Sequence, residues 1–469
     1  MPSTARPYLT ALAFLGAGVI TAPGSLAKAD VHTTAVRLTS GENIAFIVGG
    51  SGDPIPGSHY LNTNNELYIQ PLFPGYDAQA LYTPEGNYAL YTGVKSLTLD
   101  ESEAQGAVIL KDAIEQQVAA GNHVAVLGDS QSSTISSMVM SDLAADNIPK
   151  DDVGFVLLAD PNQPNGGLFE RLAGVTIPSL GITFNGATPD DLYPTTIYMQ
   201  AYDGFSDVPR YPIDFLADLN SILGIQFVHP TYQGLSAEQL ASAVQLSTQG
   251  DTSTTYYGIP LSDETVPYLP LLRPLLLIPE LGKPLADLLQ PILTPLVNLG
   301  YGDPDYGWNT GPANVATPFG LFPDADMVVK ALEESATGAS QGMKAFAGDL
   351  SSLNASSPSS SAISDALGSL NLASLNPTDL VNSLIAAFST GYAGLLPTAD
   401  VITAVTATIP NYDLAWFTQG VESGNLLQAI AEPLANNTYM YTLAAGFEAF
   451  SMISTVESII SDLSGSFPG

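Results

Sequence analysis

Between residues 35 and 230 short apolar, β-branched runs alternate with stretches of helical period, and no other feature of the sequence limits the fold as tightly. "ENIAFIVGG" reads as a buried strand ending in glycines, and "AQGAVILKDAIEQQVAAG" as an amphipathic helix closed by Gly121. "NHVAVLG" is a second buried strand, "SSTISSMVMSDLAADN" a helix, and "VGFVLLAD" and "TTIYMQAYD" are further strands. Continuous apolar runs separated by helices suit parallel strands covered on both faces. The pattern predicts an α/β protein with a doubly wound, mainly parallel sheet. With 45% of its 469 residues hydrophobic, the chain can bury a large core.

The character changes after about residue 230. Residues 267–300 are strongly apolar but carry seven prolines, at 267, 270, 274, 279, 284, 291 and 295. Proline breaks helices, so this stretch is expected to form short helical pieces or turns, and its apolarity suggests a lid, taken as 260–300. Beyond Lys344 there is no Lys or Arg at all. A Ser-rich linker is expected near 351–362, within a helical C-terminal extension spanning 326–469. The layered α/β domain is taken as 30–325.

At the N-terminus Arg6 precedes an apolar run from Tyr8 to Ala22, and Ala27-Lys28-Ala29 forms an A-x-A site. Residues 1–29 are therefore expected to be a signal peptide cleaved after Ala29, or failing that an anchor, and the protein to be exported. The most apolar later segment is interrupted by its prolines, so no later membrane span is expected. Lys and Arg total 12 against 46 Asp and Glu, a formal charge of −34 that repels phosphate backbones and argues against a nucleic-acid partner. Charged residues are only 12% of the chain, which leaves a surface suited to lipid or another apolar ligand and to membrane or envelope association. Cysteine is absent, so neither a disulfide nor a thiolate nucleophile enters.

"AVLGDSQSSTIS", residues 125–136, puts Ser130 on a sharp corner between a strand and a helix. A nucleophile elbow needs small residues two before and two after the serine, and Gly128 and Ser132 stand there. A plain turn with Ser130 or Ser132 as helix cap fits the five residues equally well; the flanking strand and helix favour the elbow. Serine needs a base, usually histidine held by a carboxylate. Of His32, His59, His123 and His229, only His229 follows Ser130, in the order that α/β hydrolases require. Asp207, in a turn past the strand "TTIYMQAYD", is the preferred acid, with Asp203 at the strand terminus as the alternative and Asp160 a further candidate. Oxyanion donors are expected from the backbone of Gln131 and from Gly50 and Ser51 in "VGGSGDPIPG". A phosphate loop fails because no G-K-[ST] exists.

These residues resemble the PE-PPE-domain serine hydrolases of mycobacteria, themselves similar to cutinases. The likeness lies, in order, in "GGSGDPIP", "GDSQSS", "ADPNQPNGGLFER", "YDGFSDVPRYPIDFLADLNSILG" and "VHPTYQ", and extends into "LGYGDPDYGWNTGPANVATPFGLFP". It covers roughly residues 40–325 and leaves the tail after 345 outside. With only a signal-like segment in front, the chain resembles the stand-alone branch, without a PE or PPE module. The resemblance implies an α/β-hydrolase fold and esterase or lipase activity on acyl esters. In some stand-alone members it implies acyl transfer that builds trehalose-based envelope glycolipids. It carries over Ser130 as nucleophile, His229 as base and an Asp of "YDGFSD" without choosing between the two. The expected chemistry is a two-step transfer through an acyl-enzyme that calls for no metal and no cofactor, with a lipid or glycolipid ester as partner. The competing expectation is a non-catalytic lipid-binding envelope protein on the same scaffold.

Overall fold

The apolar runs become the strands of one sheet: β1 Ile44–Val48, β2 Asp77–Leu81, β3 Val124–Asp129, β4 Val153–Leu158, β7 Thr195–Gln200, β8 Val244–Gln245 and β9 Thr254–Ile259. A small separate ribbon joins β5 Thr176–Ile177 to β6 Ile182–Thr183. The computed structural model describes residues 43–88, 96–261, 267–278, 280–353 and 377–464. The leader expected over 1–29 lies outside them. The sheet order is β2-β1-β3-β4-β7-β9-β8, parallel throughout except for β8, which pairs antiparallel with β9. The doubly wound expectation holds, and the fold is that of an α/β hydrolase.

Alternate strand residues face opposite sides of the sheet, and both sides are covered. Phe46, Val126 and Phe155 pack under α2 (Leu99–Ala119) and α3 (Gln131–Ala145), beside Leu110, Ile114 and Val139. Ile47, Leu127 and Val156 face the other way, onto Tyr68, Ile69 and Tyr232. Each fully buried side chain of this kind contributes roughly 1.5–3 kcal/mol. α2 starts where the chain dictates, since Thr98 and Glu101 form a reciprocal capping box. Parallel register brings the ends of β1, β3, β4 and β7 to one edge of the sheet, where the loops carrying the candidate site residues begin.

The remaining helices are α1 Ser58–Asn64, α4 Leu168–Arg171, α5 Phe215–Phe227, α6 Ala237–Ala241, α7 Gly282–Leu299, α8 Ala325–Leu353, α9 Pro377–Thr403, α10 Ile409–Glu422 and α11 Leu426–Ser464. The Pro-rich segment forms a 3₁₀ run, Pro270–Leu277, followed by α7, with Pro291 and Pro295 inside that helix. Leu269, Leu272, Ala286 and Val297 pack against Ala217 of α5 and against Tyr202 and Trp308. Residues 351–353 belong to α8, and the rest of the expected linker is outside the described residues. The C-terminal helices fold back on the hydrolase core: Ala404, Ile409, Tyr439, Met440 and Leu443 share one apolar cluster with Phe169, Phe205 and Ile222. The expectation of no later membrane span is not upheld by composition. Ser389–Glu422 is long and apolar enough to cross one by length and composition, with 18% of its most apolar window buried.

Candidate active site

β3 runs fully buried to Gly128 and stops at Asp129, and α3 starts at Gln131, so the whole reversal falls on Ser130. Its backbone sits at φ 57°, ψ −115°, a region that costs a non-glycine residue about 1–3 kcal/mol. Two contacts hold it there. The Ser130 N–H donates to the Leu158 carbonyl at 2.9 Å, tying the corner to β4, and the Asp129 N–H donates to Ser132 Oγ at 2.7 Å. A side chain at Gly128 would meet the Ser132 carbonyl oxygen at 2.6 Å, so strand and helix approach this closely only with glycine there. Ser132, in a position where the elbow motif carries glycine, is thus a hydrogen-bonding staple across the turn.

His229 opens a 3₁₀ turn directly after α5, and its Nε2 lies 2.7 Å from Ser130 Oγ. Its Nδ1 lies 2.8 and 3.0 Å from the two carboxylate oxygens of Asp203. With Nδ1–H donating to the carboxylate, Nε2 is left to accept from the serine hydroxyl, the tautomer a general base needs. Asp203 has no solvent exposure. Its Oδ1 accepts from the Phe205 N–H at 2.9 Å and its Oδ2 from the Tyr232 hydroxyl at 2.8 Å. Tyr232 is oriented in turn by accepting the Gln200 N–H at 2.8 Å. Burial pushes the Asp203 carboxyl up, but the His229 charge and these hydrogen bonds outweigh it and hold the group below the usual carboxylate range. Burial lowers the His229 imidazole, yet Asp203 and the nearby Asp129 charge together lift it above its ordinary value. Phe205 covers the imidazole, ring centroids 4.6 Å apart.

Asp207 is the correction. It is as buried as Asp203 but faces the other way: its Oδ2 accepts from the Tyr202 N–H at 3.0 Å and its Oδ1 from Asn309 Nδ2 at 3.0 Å. Burial outweighs these hydrogen bonds and pushes this carboxyl up to about 8. Asp207 therefore braces the loop to the segment around Asn309, and the carboxylate at the imidazole is Asp203. Asp160 likewise serves its own loop, accepting from Thr188 Oγ1 at 2.6 Å and from the Asn162 N–H at 3.0 Å.

The glycine-rich loop after β1 lies against the elbow. A Cβ built at Gly50 would come 3.2 Å from the Asp129 carbonyl oxygen and 3.4 Å from Ser130 Cβ. Ser51 Oγ donates to Gln131 Oε1 at 2.8 Å, and Gln131 Nε2 donates to Ser102 Oγ at 2.6 Å, locking the first residue of α3. The Gln131 N–H belongs to the first helical turn, which has no intrahelical acceptor for it and so leaves it available to an oxyanion. Gly50, Ser51 and Gln131 thus lie around Ser130.

Ser130, Ser51, Gln131 and Glu103 line a common pocket. Its apolar walls include Leu99, Leu168, Phe169, Phe184, Leu443 and Phe447. Among the described residues, none from 267–300 lines this pocket, which gives the lid expectation no support. Sequence reasoning missed several groups. Tyr232 was findable, standing three residues after His229, one 3₁₀ turn away. Asp129 accepts from the Tyr60 hydroxyl at 2.9 Å and from Gln233 Nε2 at 2.8 Å, and no spacing signals that convergence. Glu103, 3% exposed with its Oε1 unbonded, is pushed well above the ordinary carboxylate range by burial.

Comparison with known proteins adds a relationship to this geometry. The PE-PPE domain description matches residues 74–302. The PPE family protein PPE28 of Mycobacterium tuberculosis is 42% identical over 473 aligned residues, covering 95% of this chain and 71% of its own length. That alignment takes in most of the tail, which the motifs alone left outside the likeness, and a PPE protein as relative lends no support to a stand-alone branch. Esterase PE16 of the same organism is 46% identical over 297 residues, 62% of this chain and 53% of its own length. The chain thus spans about half of that esterase. Diacyltrehalose acyltransferase Chp2, again from M. tuberculosis, is 26% identical over 303 residues, 60% of this chain and 80% of its own.

Proposed function

The chain belongs to the PE-PPE domain family, and from that premise we propose that it is a serine carboxylic-ester hydrolase or acyltransferase acting on lipid esters. The observation that carries the reading is the unbroken line of hydrogen bonds from Ser130 Oγ through His229 to Asp203. Relatives named as an esterase and as an acyltransferase support the same chemistry.

Ser130 Oγ attacks the ester carbonyl while His229 Nε2 takes its proton, and Asp203 stabilises the imidazolium that forms. The negative charge on the former carbonyl oxygen is met by backbone N–H groups of Gln131 and of the Gly50–Ser51 loop. His229 then gives its proton to the leaving alkoxide, and an acyl ester on Ser130 remains. Water or a second alcohol, deprotonated by the same imidazole, resolves that ester to an acid or to a new ester. An apolar pocket beside Ser130 holds less water and so favours an alcohol as acceptor. The low share of charged residues and the signal-like residues 1–29 support an exported enzyme at the cell envelope that turns over lipid or glycolipid esters.

The test is covalent labelling with a fluorophosphonate. The expected result is modification at Ser130, absent in Ser130→Ala and reduced at least 100-fold in rate in His229→Ala. A folded protein that takes no label would instead favour a lipid-binding scaffold. Incubation with an acylated glycolipid then separates the two activities: free fatty acid reports hydrolysis, and disproportionated glycolipid reports transfer.

A further inference from the structure

Resting on the reading of Ser130 as an acyl-transferring nucleophile, we propose that the C-terminal extension is part of the acyl site. α11 supplies one wall of a subsite, through Leu443 and Phe447, that takes the hydrocarbon chain of the ester's acyl group.

Three observations carry this. Leu443 and Phe447 are four residues apart, hence on one helix face, and both line the pocket that holds Ser130. That face is pressed onto the core: a Cβ at Gly446 would fall 2.4 Å from Ile222 Cγ2, and the Tyr439 hydroxyl lies 3.3 Å from Ser221 Oγ. The extension is also pinned elsewhere. The Thr176 N–H donates to the Tyr412 hydroxyl at 2.8 Å, Ser179 Oγ to the Asp400 carbonyl at 2.9 Å, and the Tyr88 hydroxyl to Asp400 Oδ2 at 2.6 Å. These contacts tie α9 and α10 to the ribbon β5–β6 and the loop after β2, and α11 packs on both helices as well as on Ile222, so it is held as a wall and is not a tethered tail.

The chemistry of the occupant follows from the lining. Among the described lining residues there is no Lys, Arg or His, which suits a neutral ligand better than an anion such as a free carboxylate or a phosphate. Apolar side chains without donors along a wall recognise a chain by its length alone, and each methylene they bury is worth roughly fourfold in kcat/KM. A neutral ester with its acyl chain along this wall and its carbonyl at Ser130 satisfies both halves of the pocket.

The experiment uses the full chain and p-nitrophenyl esters from acetate to dodecanoate. In Leu443→Trp the ratio of decanoate to acetate kcat/KM is expected to fall at least tenfold, because the indole occupies the chain's path. In Phe447→Ala the preferred length is expected to move two or more carbons longer. Leu427→Ala, on the same helix but 75% exposed, is expected to leave the ratio within twofold. Should Leu443→Trp fail to fold by thermal melting, Leu443→Phe and Phe447→Ala carry the test. An unchanged ratio, or a uniform fall at every length, overturns the wall while fluorophosphonate labelling at Ser130 keeps the nucleophile. Wild-type protein that does not label overturns the reading beneath it.

Discussion

Asp203 and Asp207 sit four residues apart on one loop, both without solvent exposure, and their environments drive them in opposite directions. The half of the loop that faces the imidazole holds Asp203 below the ordinary carboxylate range, whereas the half that faces Asn309 pushes Asp207 up to about 8. Burial alone favours the neutral acid in both places. The cationic form of His229 reverses that on one side only, so the partner decides the charge and depth does not.

The largest effect that could break this contrast is in Asp203→Asn. An amide at that place cannot hold the Nδ1–H tautomer, and kcat is expected to fall by about 10⁴-fold. In Asp207→Asn, by contrast, kcat is expected to stay within about tenfold while stability falls by about 1–3 kcal/mol, because one buried donor or acceptor loses its match. Steady-state kinetics and melting curves on the two variants read this directly, and equal losses of kcat would erase the distinction.

Next comes the pH dependence of kcat/KM. His229 must be neutral to accept the serine proton, and its raised basicity sets the ascending limb of the profile above pH 6.5. Removing the Asp203 charge is expected to move that limb to lower pH in whatever residual activity Asp203→Asn retains. A limb that stays put in the variant would mean that Asp203 does not govern the imidazole.

A smaller effect separates five other buried carboxyls from Asp203 in stability. Asp160, Glu170, Glu85, Asp207 and Asp218 are pushed up by burial, to about 6, 7, 8, 8 and 9. Across that range the folded protein keeps protons that the unfolded chain has already lost near pH 4. Their contribution to stability is therefore complete below about pH 4 and is lost as pH rises through 6 to 9. The melting temperature is expected to drop by on the order of 5 °C between pH 5 and pH 8.5. Asp203 has the opposite sign, losing its contribution only as pH falls below the normal carboxylate range. A rise in melting temperature toward pH 8.5 would contradict the assignment of these buried acids as neutral.

The smallest expected effect concerns the Pro-rich segment. Leu277 is 82% exposed there and stands apart from the pocket, so Leu277→Ser is expected to leave both esterase kinetics and the preferred acyl length within twofold. A tenfold change would return the Pro-rich segment to the role of cover.

Much of the site is legible along the chain because its parts are local or nearly unique. The apolar run 124–128, the small residues at 128 and 132 and the helix after them are neighbours in sequence, so the corner at Ser130 follows from short-range sterics. His229 follows by elimination, since no other histidine lies downstream. The acid is not legible in the same way. Asp203 and Asp207 are interchangeable in composition and spacing, and the choice depends on how the loop turns at Tyr202, whose φ is 67°. Tyr232 and Asp129 join the network through partners up to 104 residues away, which no local pattern encodes.

By itself the sequence determined the layered sheet, the strained corner and the histidine, because alternation, turn sterics and the scarcity of a residue type are properties of the chain as written. Only the tertiary structure decided which of two apolar segments meets the pocket. Residues 267–300 and the C-terminal helices are both apolar, and the hydrophobic effect that buries both has no direction of its own. Long-range packing against α5 and α8 draws the first away, and contacts with Ile222 and the β5–β6 ribbon bring Leu443 and Phe447 to Ser130.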